Sequence, residues 1–303
     1  MKNFIISKKV KTALKEKRPV LAMESTILAH GMPYPDNMEF ASKAENLIIE
    51  NGVVPATIAI INGDIHIGLE EKDLLFICSN NSVVKTSLRD IGWVVSQKFT
   101  GATTVSATAH LANMIGIDVF ATGGIGGVHR NAHWTFDVSQ DIIALSNTPI
   151  IVVSAGAKAI LDLPKTLEML ETYSIPVLGY KTDEFPSFYS RASGLKLSAT
   201  INTPDEIAFV FIHHRQLGLS SALLVANPVP VGDEIPIKKI DFIIENACQL
   251  AKQKGVKGSK LTPFLLKEIV DKTRGRSLKA NKALALNNIK LGSEISKKLN
   301  KFY

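Results

Sequence analysis

The chain has 303 residues, of which 46% are hydrophobic, 21% charged and 7% aromatic, an ordinary globular composition that excludes a disordered polymer, a collagen-like repeat and a disulfide-stapled mini-protein. Its two cysteines, Cys78 and Cys248, stand 170 positions apart, which supports neither a zinc ribbon nor a secreted disulfide framework and points to a reducing, cytoplasmic setting. The net charge of +7 is uneven: residues 251–303 carry 14 Lys and Arg against 3 acidic residues, a local +11 beside −4 for the rest, which fits a solvated helix face, an RNA contact or a site for phosphorylated small molecules.

At the N-terminus the apolar stretch Phe4–Ile6 is too short for the core of a signal peptide. Pro19 to Met23 reads as a buried strand. Glu24 follows it at the carboxyl edge, where partial desolvation would raise its pKa toward that of a general acid, although a cap or a satisfied edge charge fits equally. Ala56 to Ile61 reads as a second strand, and Ile58 to Ile67 as a hairpin around Asn62-Gly63. Leu74 to Cys78 reads as a further strand. Lys85 and Arg89 are phosphate candidates or solvent-facing charges.

Helix is expected from Thr103 to Met114 and strand from Ile117 to Thr122. The glycine-rich run Ala121 to Arg130 comes next. Its four glycines would let backbone amides approach an anion. It is not a dinucleotide fingerprint, because His129 stands where G-x-G-x-x-G needs its last glycine. Asp137 and Asp141, two carboxylates in five residues, could hold a hard divalent ion, or Asp137 with Gln140 could form a capping box. His129 and His133 are four apart, but Arg130 occupies the glutamate position of a zinc-protease HExxH.

The strand Ile150 to Ala155 runs into Lys158, expected at the start of a helix over Ala159 to Tyr173. There the lysine is either an amine nucleophile with a lowered pKa or a snorkelling surface residue. Pro176 to Tyr180 and Leu223 to Ala226 read as strands, and Pro204 to Leu217 and Ile237 to Gln253 as helices. The aromatic run Asp183 to Arg191 could close over a sugar or base, or belong to the core. Past Pro236 only helices are expected. Thr262-Pro263 and Gly275 punctuate them before a long terminal helix over Ser277 to Leu299, near Arg274 and Arg276. Asn281 stands out inside that helix, because asparagine there normally needs a side-chain partner.

Buried strands alternating with helices argue for an α/β fold with a largely parallel sheet, organised as one domain over residues 1–303 with a helical C-terminal part over 237–303. Catalytic groups then belong in loops past the carboxyl ends of strands. The most apolar stretch, Thr148 to Leu163, contains Lys158 and Asp162 and is no membrane span.

Six segments in this order resemble the pseudouridine-5′-phosphate glycosidase family, also described as indigoidine synthase A-like: Met23 to Pro35, Gly101 to Val105, Phe120 to Arg130, Ser154 to Lys158, Thr182 to Arg191 and Ala226 to Pro230. The resemblance spans about residues 18 to 290. It implies an α/β/α three-layer fold, a homotrimer, and reversible cleavage of pseudouridine 5′-phosphate to ribose 5-phosphate and uracil in pseudouridine catabolism, downstream of a kinase. Mn2+ or another divalent cation is the implied cofactor.

The bond to be broken is carbon to carbon, so protonating an oxygen or nitrogen leaving group cannot release it. A lysine attached to the opened ribose offers an iminium electron sink. By the resemblance Lys158 is the nucleophile and Glu24 the proton donor, and Asp137 is the metal ligand. Lys85, the backbone at Val105, and Ser139, Gln140 and Asp141 are then substrate contacts, with Thr104, His129 and Asn281 near phosphate and ribose. Gln140 and His133 depart from the residues usual there, which are small and acidic respectively.

A metal-dependent phosphatase or other sugar-phosphate hydrolase using Asp137 and Asp141 would leave Lys158 without a role. An RNA-binding protein would use the basic tail, but that tail lacks interleaved aromatics. Small-molecule substrate, with no nucleic acid and no membrane, is the expectation.

Overall fold

A computed structural model describes residues 4–256 and 261–302. Its strands, β1 (Phe4–Ile6), β2 (Val20–Met23), β3 (Val54–Ile61), β4 (Asp64–Ile67), β5 (Val84–Thr86), β6 (Gly101–Thr103), β7 (Val119–Ala121), β8 (Ile151–Ser154), β9 (Val177–Tyr180), β10 (Ala199–Ile201) and β11 (Leu223–Ala226), join in one mixed sheet. The main order is β1-β4-β3-β2-β7-β8-β11-β9-β10, with β6 branching from β3 and β5 pairing β6. Only β3 with β4 and β3 with β6 run antiparallel among these pairings. Every residue of β2, β7, β8 and β11 is buried, as the continuous apolar runs require of strands covered on both faces.

The helices are α1 (Lys8–Lys15), α2 (Thr26–Ala29), α3 (Asp36–Glu50), α4 (Glu71–Ser79), α5 (Ile91–Ser96), α6 (Val105–Met114), α7 (Ala132–Thr135), α8 (Gln140–Leu145), α9 (Leu163–Thr172), α10 (Pro204–Gln216), α11 (Ile237–Gln253), α12 (Leu261–Lys272) and α13 (Arg276–Leu299). On one face α13 lies against β2, β7 and β8, flanked by α3 and α10. On the other, α6 covers β2, β3 and β7 and packs on α8. The buried apolar residues form one cluster from Val10 to Leu299. Among the described residues no helix is long and apolar enough to cross a membrane.

The Asn62-Gly63 hairpin forms as expected. Both residues take left-handed backbone, φ 52° and 86°, as a type I′ turn demands, and Ile61 faces Asp64 across it. Two expectations fail. Leu74 to Cys78 is part of α4: the Glu70 side chain and the Asp73 carboxylate cap each other's backbone amides, and Leu74, Ile77 and Cys78 are buried at helical spacing. The helix expected from Ala159 begins only at Leu163, where Asp162 accepts the Lys165 amide at 3.2 Å and Pro164 opens the first turn. Lys158 therefore lies in a loop, not on a helix. The short strands β1, β5, β6 and β10, three residues each, carry too little pattern to be read in advance.

The last helix is more than an appendage. Residues Ala280, Leu284, Asn288, Gly292 and Ile295 form a buried stripe along α13, which makes this helix a component of the layer covering the sheet. By contrast, α11 and α12 pack mainly on each other.

Candidate active site

The carboxyl ends of β2, β7, β8 and β11, adjacent in the sheet, deliver Glu24, Thr122-Gly123, the Ala155–Lys158 loop and Asn227 to one edge. A cavity of about 680 Å³ opens there. Of the residues singled out from sequence, Glu24, Lys85, Thr104, His129, Asp137, Ser139, Gln140, Asp141, Lys158 and Asn281 all line it. Val105 does not. It begins α6 with its side chain 1% exposed, one position beyond the lining residue Thr104. His133 lies on the exposed surface.

Glu24 is 6% exposed. Burial raises its pKa above the usual carboxylate range, against the opposing pull of Lys158 and a hydrogen bond from the Thr122 hydroxyl. Behind it lies a small apolar void of about 20 Å³, walled by Phe40, Ala41, Ala44 and Ile289, so the desolvation comes from hydrocarbon. A carboxyl whose pKa is raised in this way is suited to donate a proton. Lys158 is half-buried, and its loop is pinned to the glycine-rich segment: the Lys158 amide donates to the Ile125 carbonyl and the Ile125 amide to that of Gly156, at 3.0 and 3.1 Å.

Several amides of the glycine-rich segment are already engaged within the fold. The amides of Gly126 and Val128 donate to Asp141 Oδ2 at 2.8 Å and Thr166 Oγ1 at 3.0 Å, and that of His129 donates to the Asp137 carbonyl at 3.0 Å. Glycine is needed at 126 because a Cβ there would stand 2.2 Å from Ser139 Oγ. At this position the segment serves close packing, while Gly123 and Gly124 line the cavity.

Lys85, on β5, has its pKa lowered by burial and then by the nearby Lys158. Burial also lowers that of His129, with Asp137 opposing; the His129 Nδ1 to Asp137 Oδ2 separation is 4.0 Å. Asp141 is different. Its Oδ1 accepts the Ser106 amide at 2.9 Å and its Oδ2 the Gly126 amide, so both oxygens already have donors. Asp141 thus holds α6 and the glycine-rich segment together, while Asp137 lines the same cavity with its side chain partly exposed. Asp137 is not the cap of α8: Ser139 is, its Oγ accepting the Asp141 amide at 3.2 Å. Gln140 bridges to the opposite wall, its Oε1 accepting the Arg89 amide at 3.1 Å.

Among the described residues no group of three or more His, Cys, Asp or Glu converges on a metal position. Asp137, with its side chain 40% exposed, would offer an ion a single carboxylate. That donor set fits a hard ion that keeps most of its waters and shares the substrate's oxygens.

Asn281, 7% exposed, has a buried Oδ1 without a partner among the described residues, poised at the cavity beside Gly123. The aromatic run splits: Phe188 lines the cavity, while Phe185 and Tyr189 are core. Sequence reasoning missed His30, Trp93 and the α12 residues Thr262, Pro263 and Leu266, which also line the cavity. It also missed Thr122, inside a strand whose apolar run gave no reason to single out one hydroxyl.

The model of the indigoidine synthase A-like proteins matches residues 9–298. The chain belongs to this family. It is 51% identical over 304 residues to a pseudouridine-5′-phosphate glycosidase of Caldanaerobacter subterraneus subsp. tengcongensis, covering 100% of this chain and 99% of the relative. It is 48% identical to the enzyme of that name from Staphylococcus aureus, over 97% and 96%. Among solved structures, the prealnumycin C-glycosynthase AlnA in complex with ribulose 5-phosphate superposes with a TM-score of 0.92 at 33% identity, covering 100% of this chain and 98% of that one. An indigoidine synthase A-like protein of Thermotoga maritima gives 0.90 at 39%, over 98% and 97%. These matches agree with the expected mixed, mostly parallel α/β/α architecture.

Proposed function

We propose that the chain is a pseudouridine-5′-phosphate glycosidase, cleaving its substrate reversibly to ribose 5-phosphate and uracil. The observation that carries this reading is the placement of a buried carboxyl, Glu24, and an amine, Lys158, at one wall of a cavity that also holds Lys85. The relatives' shared name and the C-glycosynthase likeness, with its pentulose phosphate, support the same substrate class.

In the forward direction the ribose ring opens and the Lys158 amine bonds to its anomeric carbon. The nitrogen lone pair then forms a C=N bond as the sugar–uracil bond breaks. That bond's electron pair stays with the uracil carbon, which takes a proton, and Glu24 is the carboxyl held ready to supply protons beside Lys158. Water hydrolyses the iminium, releasing ribose 5-phosphate and restoring the amine.

Lys85 and His129 supply positive or donor groups to the phosphate, and Asn281 offers its unpartnered amide oxygen to a sugar hydroxyl. A divalent ion such as Mn2+, when bound, adds charge neutralisation near the phosphate; Asp137 is the residue that would hold it. We further propose the homotrimer implied by the family, in which a second copy would cover the exposed Trp134 and Phe136, 81% and 87% accessible.

The test is to incubate the protein with ribose 5-phosphate, uracil and Mn2+, follow pseudouridine 5′-phosphate by chromatography, and trap with borohydride. Product with a ribose phosphate adduct on Lys158 is the expected result. Folded protein that gives neither overturns the reading.

A further inference from the structure

Thr122 and Glu24 sit at the ends of adjacent strands, and the hydroxyl of the first donates to Oε1 of the second. The Thr122 backbone is fixed from the other side. Asn288, fully buried on α13, donates through Nδ2 to the Thr122 carbonyl at 2.8 Å and reaches that of Gly123 at 3.4 Å. Its Oδ1 accepts from Nδ2 of Asn227 at 3.0 Å. Asn227, at the end of β11, in turn donates its amide to the Ser154 carbonyl at 2.8 Å, four residues ahead of Lys158.

A continuous buried chain of hydrogen bonds thus connects the strand that leads to the amine with the strand that leads to the carboxyl, by way of the last helix. Buried amides of this kind cost stability unless every partner is met. Here Asn288 meets backbone carbonyls at the reacting edge through Nδ2 and the Asn227 side chain through Oδ1.

We infer that Thr122 and Asn288 are positioning residues, a relay through which α13 holds the Glu24 carboxyl in its orientation toward Lys158. The inference rests on Glu24 acting as the proton donor. Thr122 acts directly on the carboxylate and Asn288 acts through Thr122. The charged groups that face Glu24 are Lys158, Asp141 and Lys85. From α3 and α13 its neighbours Phe40, Ala44, Ala285 and Ile289 are uncharged, so the hydroxyl is the relay's own lever on the acid.

The sign follows from the donor. A hydroxyl that donates to a carboxylate favours the charged form, so its removal moves the Glu24 titration upward, by about one pH unit for one charge-assisted hydrogen bond. The experiment uses the full chain with 13C-labelled glutamate carboxyls, the Glu24 signal being assigned through Glu24→Gln. Titrations of wild type, Thr122→Val, Thr122→Ser and Asn288→Ala are compared, alongside kcat and KM with ribose 5-phosphate, uracil and Mn2+.

The expected result is an upward shift and a lower kcat in Thr122→Val with KM for ribose 5-phosphate held, a shift in the same direction in Asn288→Ala, and recovery in Thr122→Ser. If Asn288→Ala does not fold, the two Thr122 variants decide. A Thr122→Val titration that superimposes on wild type overturns the relay. So does an Asn288→Ala protein that melts lower yet keeps the wild-type titration and kcat. Wild type that makes no product while Thr122→Val still shifts the Glu24 signal overturns the proposed function and leaves the relay standing.

Discussion

Two buried carboxylates face the same cavity and are treated in opposite ways. At the Asp141 corner each oxygen accepts a backbone amide, one from α6 and one from the glycine-rich segment. Those bonds tie α6 and the glycine-rich segment together through the one side chain. At the Glu24 corner one hydroxyl is the hydrogen-bond donor, hydrocarbon forms the back wall, and burial wins. Burial depth is nearly equal, 5% and 6% exposed, so depth does not assign the roles. The number of fixed donors separates them: Asp141 is bonded through both oxygens, whereas Glu24 has one hydroxyl donor and a hydrocarbon wall that pushes its pKa upward.

Several changes test that contrast and the amine it serves. The largest effect is expected from Lys158→Ala, which should lower turnover by roughly 10⁴-fold or more, as loss of a covalent nucleophile does. The borohydride adduct should vanish with it, and an adduct that persists would place the nucleophile elsewhere.

Glu24→Gln should cost about 10²–10⁴-fold, the range of a general acid. In wild type the raised pKa keeps the acid protonated to higher pH, and activity falls as pH rises through that value. The variant's residual activity should lose this descending limb, as a pH–rate profile will show. Asp141→Asn should act on the other corner. It turns an amide toward a backbone N–H, with an expected cost of about 1–3 kcal/mol in denaturant melts, and because the Asp141 charge is one of those that raise Glu24, the descending limb should move to lower pH. The smallest effect is expected from Asp137→Asn: maximal turnover is approached again at raised Mn2+, so a titration with the metal should move its midpoint upward. A midpoint that does not move would break the assignment of Asp137 as the metal anchor.

Much of this was legible in the chain. Continuous β-branched runs gave the central strands, Asn62-Gly63 gave the hairpin, and the segments around Glu24, Gly123 and Lys158 gave the site's composition. What escaped reading has physical causes. Leu74 to Cys78 is apolar enough for a strand, and only the reciprocal caps at Glu70 and Asp73 decide for helix. The position of Lys158 turned on Asp162 and Pro164, a start signal four residues later than the one assumed. Asp137 and Asp141 look alike in sequence, and only the fold shows that both line the cavity while Asp141 alone is claimed by two amides. Asn288 lay unnoticed beside Asn287 in a long helix, because a buried amide declares itself only through the carbonyls it meets.

The stripe that seats α13 on the sheet also sets a schedule. Synthesis proceeds from the N-terminus, and elements can dock as they emerge. Every strand end at the reacting edge, from Glu24 to Asn227, is made before Arg276 leaves the ribosome, yet Asn281 and Asn288 arrive only with the helix that follows. A nascent chain halted short of that helix carries both the acid and the amine without the amides that bind and hold them. The site is thereby completed only with the helix that also covers one face of the sheet.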